Sequence, residues 1–82
     1  MRNAYFVASV QYDTEDHQTA DSYAYGEQYK HLIESVNDLL KTKKNSEVLF
    51  AAWVDRNERE HDLTNQVREE CKKQREEEER NQ

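Results

Sequence analysis

From Ala4 to Tyr12 the side chains alternate in character, so that Phe6, Ala8, Val10 and Tyr12 fall on one face and Tyr5, Val7, Ser9 and Gln11 on the other. The first face is apolar throughout, and the second turns polar toward its end. This pattern predicts a strand with one buried side. Residues 13–19, Asp-Thr-Glu-Asp-His-Gln-Thr, carry no hydrophobic anchor and read as a loop. Residues 20–25 predict a second, shorter strand pairing back as a hairpin, with Tyr23 and Tyr25 on one face and Ser22 and Ala24 on the other. Gly26 separates it from the next element.

Beyond Glu27 the period changes. Tyr29, Leu32, Ile33, Val36, Leu39 and Leu40 have the spacing of one helical stripe, with polar residues between them. Lys41, Lys43 and Lys44 suit the negative end of that helix, and Asn45 can cap it. Residues 47–54 hold the longest apolar run, Val48 to Val54. With both faces apolar, they predict a central strand covered on each side. Residues 56–80 are helix-formers almost throughout, with Asp55 as N-cap and Glu58 completing a capping-box pattern. Only Leu63, Val67 and Cys71 form an apolar seam there. The charged stretch 72–82 has nothing to bury, and the pattern predicts that it frays or is held by a partner.

The order strand, strand, helix, strand, helix (ββαβα) predicts a small two-layer α+β domain over residues 1–82: a three-stranded sheet covered by the amphipathic helix, with a charged C-terminal helix. The chain has 82 residues, 37% of them charged and 34% hydrophobic, which limits it to one small core. No apolar run is long enough for a transmembrane helix, and the N-terminus lacks the apolar segment and cleavage site of a secretory signal. A single cysteine allows neither an intramolecular disulfide nor a multi-cysteine zinc site. The expected setting is reducing and cytoplasmic.

Catalytic and cofactor chemistry find little support. One glycine leaves no Gly-rich phosphate loop and no nucleophile elbow. His17, His31 and His61 are scattered. Glu58 and His61 make one Glu-x-x-His, whereas di-iron bundles need two copies and further carboxylates. Cys71 has no His, Asn or Asp poised beside it to activate it and reads as a small hydrophobe in a packed or dimer contact. The expectation is a non-enzymatic protein without cofactor or metal.

Charge is the most informative feature. Between Arg2 and Lys30 there is no basic residue, while Asp13, Glu15, Asp16, Asp21 and Glu27 contribute five acids. The helix-forming stretch 56–82 is nearly balanced, with seven basic and nine acidic residues. Direct nucleic-acid binding is disfavoured, because phosphate contacts need clustered Lys and Arg. An acidic hairpin bearing tyrosines instead suits a basic protein surface, such as that of a nucleic-acid-binding protein. Tyrosine gives large contact area at low entropy cost. The expected partner-binding set is Asp13, Glu15, Asp16, Asp21, Tyr23 and Tyr25. The plainer reading is that the acids keep a small domain soluble and the tyrosines cover its sheet.

Short length, one glycine, no proline and an acidic hairpin together resemble small phage-encoded host-takeover or anti-defence proteins. That resemblance implies a stoichiometric inhibitor in the host cytoplasm, competing with nucleic acid by charge mimicry. The alternative is a structural homodimer or adaptor in which the C-terminal helices pair through Leu63, Val67 and Cys71.

Overall fold

Alternation in the first part of the chain becomes a β-hairpin, and the shift to helical spacing after Gly26 becomes a helix laid across it. The computed structural model describes residues 3–14 and 20–80. Its elements are β1 (Tyr5–Tyr12), β2 (Ala20–Gly26), α1 (Tyr29–Thr42), β3 (Glu47–Val54), β4 (Glu60–Asp62) and α2 (Thr64–Arg80). The strands form one antiparallel sheet in the order β2-β1-β3-β4. Both helices pack on the same face of it.

Phe6, Ala8, Val10 and Tyr12 turn toward the helices, as their alternation predicts. Opposite them, small residues on the neighbouring strands let α1 approach closely: Ala8 lies between Ala24 and Ala51, and all three are buried with Leu32, Ile33 and Val36 of α1. Gly26 sits under the first turn of α1. A Cβ built there would lie 2.9 Å from the Leu32 nitrogen and 3.1 Å from the Gln28 carbonyl oxygen, so this backbone contact requires glycine. After α1, Asn45 takes a left-handed conformation (φ 53°), which Asn tolerates better than most residues. Its side-chain amide donates to Asp13 Oδ2 (2.5 Å), tying the helix exit to the end of β1.

Two sequence expectations need correction. The sheet has four strands, not three, because the chain turns back as a hairpin where a helix was expected from residue 56. Asp55 caps that turn rather than a helix. Its Oδ1 accepts the N–H groups of Asn57 (2.9 Å) and Arg59 (3.0 Å), while Glu58 takes the left-handed position (φ 64°) and donates its N–H to the Asp55 carbonyl. An aspartate satisfies the N–H two residues on equally well in a loop or at a helix start, so the local pattern does not separate the two. The second correction concerns β3. One layer of helices covers its inner face; on the outer face Ala52 and Val54 are buried, but Leu49 and Phe50 remain 38% and 37% exposed.

The start of α2 is fastened to the β3 edge that β4 leaves open. Leu63 N–H donates to the Ala51 carbonyl (2.8 Å), Ala51 N–H to Thr64 Oγ1 (3.1 Å), and Arg68 Nε–H to the Val48 carbonyl (2.8 Å). Val67 and Cys71 then enter the core, with Leu63 packed against it. Asn37 occupies a position in α1 that the stripe leaves polar, yet it is buried, and its amide donates to Gln74 Oε1 of α2 (2.7 Å). One turn further along, Lys41 pairs with both carboxylate oxygens of Glu78 (2.5 and 2.7 Å), so the charged stretch of α2 lies alongside α1.

Candidate protein-docking face

Strand register assigns the side of the sheet away from the helices. Asp21, Gln11 and Glu47 form one cross-strand row, and Tyr23, Ser9 and Phe50 the next. Tyr25, Val7, Ala52 and Asp62 follow, then Tyr5, Val54 and Glu60. The centre of this face is aromatic and aliphatic, and its margins carry four carboxylates. None of the four strands contains a lysine or arginine. All the lysines and arginines lie on the helices, in the connections or before β1.

Three tyrosines make a continuous row. Tyr23 and Tyr25 are neighbours on one face of β2, with ring centroids 6.5 Å apart and planes 29° from parallel. Tyr5 lies diagonally across β1 at 6.3 Å from Tyr25, tilted by 45°, within the reach of diagonal aromatic pairs. Tyr23 and Tyr25 are 62% and 63% exposed, a high value for rings of this size. At the other side of the face a bulge adds to the patch. Ser9 pairs with Phe50 and Val10 with Val48, so Leu49 is an extra residue in β3. The result is two consecutive apolar side chains at the surface. Beside Tyr5 and Tyr25, Gly26, Glu27 and His31 line a shallow open groove.

The predicted partner-binding residues are divided by the fold. Asp21, Tyr23 and Tyr25 share this face. Asp13 does not join them: its N–H donates to the Lys44 carbonyl (3.0 Å) and its carboxylate holds Asn45. Glu15 and Asp16 lie outside the described residues. Sequence reasoning missed Tyr5, Leu49, Phe50, Glu60 and Asp62. The alternation of β1 already put Tyr5 beside Val7, but the pairing that carries this face across to β3 and β4 has no local signature.

The proposed dimer seam is placed differently. Val67 and Cys71 are fully buried in the chain's own core, and Leu63 packs against it, so the seam presents no open stripe to a second chain. Burial pushes the Cys71 thiol up to about 11; the nearby Arg75 opposes this and Glu70 adds to it. At neutral pH the sulfur is a protonated thiol, a poor nucleophile. The Tyr29 hydroxyl is also raised by burial, and its ring meets Phe6 edge-on at 5.7 Å.

The His61 ring lies against Trp53, with centroids 5.0 Å apart and planes tilted by 34°, and its Nε2 is 3.0 Å from Asp55 Oδ2. The hydrogen bond to His61, joined by those from Arg59 and Asn57, lowers the Asp55 carboxyl below its ordinary value. Asp62 is lowered likewise by the Thr64 hydroxyl and N–H, at 2.6 and 3.0 Å. Among the described residues, no group of three or more His, Cys, Asp or Glu side chains is placed to hold a metal. Nor is any helix long and apolar enough to cross a membrane. No family model, curated protein or solved structure matches the chain.

Proposed function

We propose that the chain is a non-enzymatic protein-binding module that docks through the helix-free face of its sheet onto a basic protein surface. The observation that carries this reading is the tyrosine row, exposed Tyr23 and Tyr25 with half-buried Tyr5 beside them, on a face bordered by carboxylates and built from strands that contain no lysine or arginine. Exposed aromatic clusters of this kind mark interaction surfaces. The tyrosines supply buried area on docking, and Asp21, Glu47 and Glu60 supply steering toward positive charge.

One class of partner with such a surface is a nucleic-acid-binding protein, and occupation of that surface would exclude its nucleic acid. The module would then act as a stoichiometric competitive inhibitor. The test is affinity capture with the immobilised chain, comparing wild type with Tyr23→Ala/Tyr25→Ala and with Asp21→Lys/Glu60→Lys. The tyrosine pair should weaken retention of a basic protein by about 30-fold or more, as loss of interface anchors does. The charge reversals should slow association, with an effect that fades above ~0.15 M salt. Equal retention by all three proteins would reject the reading.

A further inference from the structure

The two edges of the sheet are finished differently. On the β4 side, the strand is three residues long, and the open part of β3 is occupied by Leu63, Thr64 and Arg68 of the α2 entry. The β2 edge has no such finish. β2 is seven residues long and pairs with β1 over its whole length without a register shift. It contains no proline, no lysine and no bulge, the devices that usually blunt an edge. Among the described residues, no backbone hydrogen bond joins residues 20–26 to anything beyond the sheet.

We propose that the β2 edge receives an extended basic segment of the partner as a fifth strand. This rests on the protein-binding role above and specifies how the partner is held: main-chain hydrogen bonds to β2, with alternate side chains read by the sheet face. Residues of the added strand level with Asp21, Tyr23 and Tyr25 share their face. Arginine there meets the Asp21 carboxylate and the faces of two exposed rings, a combination of ion pairing and cation–π attraction. The intervening residues lie level with Ser22 and Ala24 on the helix side, where small or β-branched side chains suit an extended strand.

Charge selects this occupant over a second copy of the chain. A twofold antiparallel β2–β2 pair would bring the Ala20 end of each copy, near Asp13 and Asp21, against the Gly26 end of the other, which Glu27 follows. No basic side chain on β2 offsets that repulsion.

The experiment uses the full chain and a synthetic seven-residue peptide in which arginine alternates with threonine or valine. Amide hydrogen exchange is followed by NMR at low ionic strength. Exchange should slow at alternate β2 amides, and N-methylation of every second peptide nitrogen should weaken binding about tenfold or more, as removal of several backbone hydrogen bonds requires. Peptide binding that ignores N-methylation and perturbs only the tyrosine rings would overturn the strand addition while leaving the docking face intact. Absence of peptide binding, with the captured partner still retained through Tyr23 and Tyr25, would also overturn it. A peptide-free dimer by sedimentation, with β2 amides already protected, would assign the edge to a second copy and overturn it as well.

Discussion

Replacing Val67 by alanine separates the two roles that the Leu63-Val67-Cys71 seam could play. Val67 is fully buried within the chain's own core, so the change removes two carbon atoms from a packed interior. At ~0.8 kcal/mol per buried methylene the transfer loss is about 1.6 kcal/mol. A residual void of ~40 Å³ adds about 1 kcal/mol at ~24 cal/mol per Å³. The expected loss is therefore about 2–3 kcal/mol, against a total stability of roughly 4–12 kcal/mol for a chain of 82 residues. In urea the midpoint should fall with the slope unchanged, and melting should drop by roughly 10–20 °C. Both shifts should be independent of protein concentration, because the contacts are within one chain. A loss below about 0.5 kcal/mol, or a midpoint that moves with concentration in the wild type but not in the variant, would refute the burial and return the seam to an interface.

Gly26→Ala should destabilise the fold by about 1–2 kcal/mol in the same melt, since the added Cβ meets α1 backbone at 2.9 Å and the strain outweighs the smaller unfolded-state gain; a stabilised variant would show that α1 can shift freely. Cys71, with its thiol pushed up to about 11, should resist alkylation at pH 7.5 in the folded chain and react at once in denaturant; equal rates would contradict its burial. Asp55 and Asp62 titrate lower in the folded chain than their ordinary value of about 4. Their contribution is thus present above that pH and lost as pH falls through the lowered folded values. The acid-side decline in melting temperature should accordingly be shallower in Asp62→Asn than in the wild type, and parallel curves would remove Asp62 from the account.

What was legible in the sequence is what local spacing encodes. The inward face of β1 and the stripe Leu32, Ile33, Val36 follow directly from periods of two and about 3.6, and the hairpin partner β2 follows from proximity in the chain. What was not legible depends on contacts between distant residues. β4 is three polar residues, Glu60-His61-Asp62, which no apolar alternation marks. They become a strand because β3 presents an open edge and the Asp55 turn aims the chain back along it. Asn37 looks like a surface residue until Gln74, far along the sequence, supplies its partner. For the proposed docking face, Tyr23 and Tyr25 were visible as a same-face pair, but Phe50 and Leu49 joined them only through a bulge that composition does not announce.

The most direct measurement of the central claim is a solvent footprint of the chain alone and bound to its captured partner, by hydroxyl-radical labelling read residue by residue. Docking through the helix-free face predicts strong protection of Tyr5, Tyr23, Tyr25 and Phe50, with the exposed sides of α1 and α2 labelled equally in both states. Protection confined to Lys72, Lys73, Glu76 and their neighbours on α2, with the tyrosines labelled as before, would contradict it.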